Sequence, residues 1–236
     1  MIKAVLFDLD GTLLPMDMET FVKAYVGGMI RKLAPYGYDP QLLTSAVWKC
    51  ATAMIANNSD VRNETIFWDV FYSVMGDDAR KDEAAFLSYY ENEFQQLQSV
   101  CGYNPEALKS VREIQNMGYR TILATNPVFP AIVTHTRLRW TGLDVSDFEL
   151  ITTYENSRRC KPNPAYYTEL LQTLNLKAEE CIMVGNDTSE DLAAQQIGIR
   201  VFLITDCLIN RDNKDISHIP HGSFPELMNY IRELKE

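Results

Sequence analysis

Cysteine, histidine and net positive charge are all scarce in this chain, and long apolar runs are missing from it. The five cysteines, Cys50, Cys101, Cys160, Cys181 and Cys207, include no CxxC pair and are odd in number, which speaks against a disulfide framework or a zinc site. They read as reduced thiols. His135, His218 and His221 show no metal-motif spacing and suit surface or helix-end positions. The formal charge of −10 argues against a nucleic-acid partner, because phosphate backbones are bound through clustered Lys and Arg. It leaves room for a small anionic substrate, since a local pocket can be positive within an acidic protein. No stretch approaches the ~20 apolar residues of a membrane span. The opening MIKAVLFDLD is too short in its apolar part and too acidic for a secretory signal. A cytoplasmic protein with no membrane partner is expected.

What is present is ordinary globular composition, 46% hydrophobic and 23% charged over 236 residues, enough for one core with a smaller appended unit. Four short apolar runs ending in polar residues, at 3–10, 119–126, 180–187 and 200–206, have the pattern of buried parallel strands. Helical patterns lie between and after them at 104–118, 163–176, 189–198 and 224–235. That alternation predicts an α/β fold, a doubly wound parallel sheet with helices on both faces. Ligands of such sheets gather at the carboxyl ends of the strands, where Asp8, Asp10, Thr125, Asn126 and Asp187 fall. Residues 16–100 break the alternation with three amphipathic helical stretches, METFVKAYVGGMIRKLAPYG, PQLLTSAVWKCATAMIANN and DEAAFLSYYENEFQQLQ. The expected organisation is a core domain of residues 1–15 and 101–236, with a helical cap domain, residues 16–100, hinged near 14–17 and 99–104.

The stretch VLFDLDGTLLP places Asp8 and Asp10 two positions apart on a strand, hence on one face. Two like charges so placed need a compensating cation. FDLDGT, LATN (123–126), the lysine of CKPNP (160–164) and VGNDTSED (184–191) together resemble, in order and spacing, the four motifs of the haloacid dehalogenase superfamily. The helical insertion between the first two motifs is similar to the subfamily with an all-helical cap.

The resemblance implies a Mg²⁺-dependent phosphatase with a Rossmann-like core, acting on a small phosphorylated metabolite. Asp8 is then the nucleophile that forms an aspartyl-phosphate. Asp10 is the general acid and base, with its backbone carbonyl facing the metal. Gly11 permits a turn near the phosphate and Thr12 offers a hydrogen bond there. Thr125 and Asn126 bind the phosphoryl oxygens, helped by a helix beginning at Pro127. Lys161 holds the nucleophile ionised and neutralises the transferring group, with Arg158 and Arg159 as competitors for that place. Asp8, Asp10 and Asp187 form the metal set, and Asp191 orients a metal-bound water or Lys161.

The cap aromatics Trp48, Phe67, Trp68, Phe71, Tyr72, Tyr89 and Tyr90 suit packing, while Lys23, Arg31, Lys49 and Arg62 are candidates to touch a second anionic group on the substrate. A phosphomutase shares the core chemistry. From a different class, a phospho-receiver domain is about half as long and lacks the insertion, and a non-catalytic binding protein is disfavoured because every catalytic position is filled.

Overall fold

The four apolar runs become Ala4–Phe7 (β1), Arg120–Leu123 (β2), Cys181–Gly185 (β4) and Arg200–Ile204 (β5) in a computed structural model that describes residues 1–234. Two strands of two residues each, Leu150–Ile151 (β3) and His221–Gly222 (β6), extend the sheet at its edges. All six run parallel in the order β3-β2-β1-β4-β5-β6. β1 is therefore central, and both its faces are buried. Val5 and Phe7 enter one apolar cluster and Ala4 and Leu6 the other, the alternation expected of a strand covered on both sides.

Helices Pro105–Asn116 (α5), Ala131–Trp140 (α6) and Phe224–Glu233 (α8) contribute to the cluster on the Phe7 side, and Pro164–Leu174 (α7) covers the other. Their starts are written in the chain. Asn104 accepts a hydrogen bond from Glu106 N at 3.0 Å and Asn163 from Ala165 N at 3.0 Å, each followed by proline at the first helical position.

Three departures from the expected elements have local causes. The helix after Thr125 begins at Ala131 and not at Pro127, because Pro130 biases Phe129 away from helical backbone. Residues 188–191 form tight turns followed by a 3₁₀ segment, Leu192–Ile197, since the Asp191 side chain turns back onto the backbone N–H groups of Asn186 and Asp187. The C-terminal helix was expected through 235. It ends at Glu233, and position 235 lies outside the described residues.

The long segment between β1 and α5 is helical: Met18–Leu33 (α1), Pro40–Ile55 (α2), Asn63–Met75 (α3) and Glu83–Glu91 (α4), then a 3₁₀ stretch Glu93–Val100. α3 is additional to the three expected stretches, and the third of these divides at Asn92. The two connections to the sheet run side by side, with Met16 bridged antiparallel to Cys101 and Gly102 N donating to Pro15 O at 2.7 Å. No helix among the described residues is long and apolar enough to cross a membrane.

Candidate active site

The sheet carries Asp8 to its carboxyl edge. Asp8 N donates to Val184 O at 2.9 Å, and Ala124 N donates to Phe7 O at 2.7 Å, so the segments after β1, β2 and β4 leave the sheet as neighbours. Gly11 then turns the chain at φ +82°, where a Cβ would strike the Asn186 side chain. The turn brings the Thr12 hydroxyl within 3.0 Å of Asn186 Oδ1 and 3.3 Å of Asp8 Oδ2. Thr12 thus supports the Asp8 carboxylate and ties it to the segment after β4.

Lys161 is the centre of the cluster. Its side chain is 0% exposed, and Nζ donates to Asp8 Oδ1 at 2.9 Å and to Asp191 Oδ1 at 2.7 Å. Arg158 and Arg159 do not compete for this place. Arg159 donates to Ser59 O, and both guanidinium groups lie near Asp60. Asp191 is fixed by its second oxygen, which accepts from Asn186 N and Asp187 N at 2.9 Å each. Gly185 makes room for it, since a Cβ there would fall on the Asp191 carboxylate.

Electrostatics follow from this burial. Desolvation pushes the Asp8 carboxyl up to about 7, against the opposing pull of Lys161, while Asp191 and Asp10 push further in the same direction. Burial works against the Lys161 ammonium, but Asp191 and Asp8 outweigh it and hold its pKa well above the ordinary lysine value. Burial also lifts Glu190, which borders the same cavity, to about 8.

The remaining expected residues line one cavity of about 390 Å³ together with Asp8: Asp10, Thr125, Asn126, Asp187 and Asp191. Thr125 is held by its carbonyl, which accepts from Thr152 Oγ1 at 2.6 Å and from Tyr166 Oη at 3.1 Å. Asn126 donates through Nδ2 to Lys161 O at 3.4 Å, while its Oδ1 is buried without a partner. Asp187 Oδ1 accepts from Ser189 N at 2.6 Å and Glu190 N at 3.0 Å, which leaves Oδ2 facing Arg211 at 3.9 Å.

Arg137 on α6 was not among the expected site residues. It is 0% exposed, ion-paired to Asp10 Oδ2, with its guanidinium carbon 4.3 Å from the Phe129 ring centroid and 5.8 Å from that of Phe21. Asp10 Oδ1 and two of the Arg137 nitrogens, Nε and Nη2, are buried without partners. The sequence carries only a weak signal for Arg137: a helix here groups Val133, Arg137 and Trp140 on one face, but no continuous apolar stripe marks that face as buried. Lys23, Arg31, Lys49 and Arg62, by contrast, are exposed and absent from the cavity wall.

A strand-end carboxylate thus sits against a buried ammonium at the carboxyl edge of a doubly wound parallel sheet, where ligands of such sheets gather. Residues 2–198 match the model of the haloacid dehalogenase-like hydrolases, and the chain belongs to that family. It is 23% identical over 241 residues to the glyceraldehyde 3-phosphate phosphatase of Methanopyrus kandleri, with 99% of each chain covered. It is 26% identical over 200 residues to the phosphoglycolate phosphatase of Colwellia psychrerythraea, covering 84% of this chain and 81% of that protein. The fold is shared with a 2-haloacid dehalogenase from Pseudomonas syringae, at TM-score 0.64 and 21% identity over 99% of this chain and all of the other (100%). It is shared also with a predicted phosphoglycolate phosphatase from Haemophilus somnus, at TM-score 0.61 and 19% identity over 98% of both chains.

Proposed function

We propose that this hydrolase cleaves phosphomonoesters of small metabolites through a phosphoryl intermediate on Asp8. The observation that carries the reading is the buried Asp8–Lys161–Asp191 array, built from three separate segments and opening on the cavity shared with Thr125 and Asn126. In this reading an Asp8 oxygen attacks phosphorus as the bond to the leaving oxygen breaks. Asp10 delivers a proton to that oxygen, then takes one from the water that attacks the aspartyl-phosphate and releases phosphate. Arg137 occupies Asp10 Oδ2, so the oxygen left for proton transfer is Oδ1. Lys161 opposes the desolvation that raises the Asp8 carboxyl, favouring its ionised, acceptor-only form, and offsets the charge of the phosphoryl group. The helical segment 16–100 serves as the cap, its helices forming the far wall of the cavity.

The donor set fits Mg²⁺. Two carboxylates, Asp8 and Asp187, border the same cavity, and Mg²⁺ takes one or two carboxylates and keeps several waters. Among the described residues no three or more His, Cys, Asp and Glu side chains form a cage for an ion; in this reading the carbonyl of Asp10 and solvent would complete the set. When bound, the ion supplies charge neutralisation at the phosphoryl group.

Hydrolysis of p-nitrophenyl phosphate with Mg²⁺, with EDTA and in Asp8→Asn tests the reading. Activity should disappear in EDTA and fall by several powers of ten in the variant. Retention of more than about a tenth of kcat, only ~1.4 kcal/mol of barrier, would exclude Asp8 as nucleophile. A phosphomutase shares this core chemistry. Incubation with a sugar phosphate separates the two activities, since a mutase returns an isomer and a phosphatase returns inorganic phosphate.

A further inference from the structure

The wall of the cavity facing the carboxylates is a different chemical surface from its floor. Ten lining residues come from the helical segment 16–100, and all ten are apolar or aromatic, among them Val22, Val26, Val47, Trp48, Met54 and Phe67. None carries a charge. The hydroxyl in that set, on Tyr25, is already within 3.0 Å of Tyr90 Oη. Val128, Phe129 and Ile209 continue the apolar surface from the core side. The cation in the lining, Arg211, also comes from the core side and faces Asp187 at the acidic end. A carboxylate or second phosphate placed against this wall would lose its hydration with no cation to replace it. A hydrocarbon chain or ring would gain from the same surroundings. The volume, about 390 Å³, lies near the low end of the ~300–1,000 Å³ typical of small-molecule sites.

We infer, resting on the phosphatase reading, that the substrate is the monophosphate of an uncharged, predominantly apolar alcohol whose hydrocarbon part lies against Trp48, Met54, Phe67 and the valines of α1 and α2. Phosphoglycolate, with its carboxylate, and inorganic pyrophosphate, with its second phosphoryl group, are disfavoured by this wall. The specificity of the phosphoglycolate phosphatase compared above does not transfer.

The test pairs turnover with binding. With Mg²⁺ present, kcat/KM for ethyl, butyl and hexyl phosphate should rise about fourfold per methylene, roughly 250-fold across the four methylenes of the series. Phosphoglycolate should fall at least a hundredfold below hexyl phosphate. Calorimetry with ethyl, butyl and hexyl phosphonate, which cannot turn over, should show the same slope in affinity and a negative heat-capacity change that deepens with length. Trp48 is 54% exposed, so Trp48→Ala leaves the fold intact and should flatten the phosphonate slope for the longest chain. A flat wild-type phosphonate series, or phosphoglycolate turned over faster than hexyl phosphate, overturns the assignment. If no phosphate ester is hydrolysed while the phosphonate slope persists, the phosphatase reading fails and the apolar specificity of the wall stands.

Discussion

Asp8 and Arg137 are both buried at the site, and each yields a stability measurement separate from turnover. Burial pushes the Asp8 carboxyl up to about 7 from the 3.8 of an exposed aspartate, so the folded state favours the extra proton between these values. Stability contributed by the neutral form is complete below pH ~3.8 and is lost as pH rises through ~7. Metal-free Asp8→Asn should therefore be more stable than wild type at pH 8, by roughly 1–3 kcal/mol after allowing for the lost Lys161 partner, and the difference should vanish near pH 4. Urea denaturation in EDTA at the two pH values measures it, and equal stability at pH 8 would contradict the desolvation account. Arg137→Met keeps most of the buried volume but strands the Asp10 carboxylate, a change that costs about 3–5 kcal/mol when one partner of a buried pair is removed. Adding Asp10→Asn should restore most of that loss, and additive losses in the double variant would mean that the pair is not coupled. Asp8, Asp10, Lys161 and Asp187 were legible because each sits in a short motif. Arg137 was not, because a cation on a helix is normally solvated and only the fold reveals that this helix is enclosed.

Helix α1 carries adjacent glycines at Gly27 and Gly28, and the structure assigns them opposite roles. A Cβ at Gly27 would come no closer than 3.5 Å to Arg31 Nη1, whereas one at Gly28 would lie 2.5 Å from Tyr89 Oη, which donates to Tyr25 O at 2.8 Å. Gly27→Ala should stabilise the protein by up to about 1 kcal/mol through helix propensity alone. Gly28→Ala should destabilise it by roughly 1–3 kcal/mol, because Tyr89 is fully buried and has to move. Thermal melts of the two variants compare the signs directly, and a stabilised Gly28→Ala would show that α1 and α4 slide apart easily. Legibility at this scale followed local chemistry. Asn104-Pro105 and Asn163-Pro164 announced their helices, as the Asp39 side chain and Pro40 do for α2. NETIFWDVFYSVM has little helical signal of its own, because its aromatic and β-branched residues are weak helix formers, and it is the packing of Phe67 and Phe71, stacked at 5.9 Å, that stabilises it. The two-residue edge strands β3 and β6 are too short to leave any periodic signal.

The whole molecule is joined across the boundary that the sequence suggested between core and cap. One apolar cluster runs from Val5 and Phe7 of the sheet through Phe21 and Tyr25 of α1 to Phe67 and Phe71 of α3. Phe94 stacks on Trp140 at 5.4 Å, and Tyr25 meets Phe129 edge-on at 5.5 Å. The start of α3 is stitched to core loops by backbone bonds, Asn63 N donating to Ser157 O and Glu64 N to Tyr154 O at 2.9 Å each, and by Asn63 Nδ2 donating to Pro127 O at 3.2 Å. Composition showed a change of pattern at 16–100, but a change of pattern does not reveal whether two regions share a core, because that depends on contacts distant in sequence. Units that share a core unfold together, since exposing one strips apolar cover from the other. The three tryptophans make this measurable: Trp48 and Trp68 lie in the helical segment, and Trp140 lies on α6. In variants that keep only Trp68 or only Trp140, with phenylalanine at the other two positions, urea midpoints from fluorescence should coincide with each other and with the midpoint from circular dichroism. Earlier loss of the Trp68 signal would mean that the helical segment comes apart on its own, and that the shared cluster is too weak to hold the cap to the sheet.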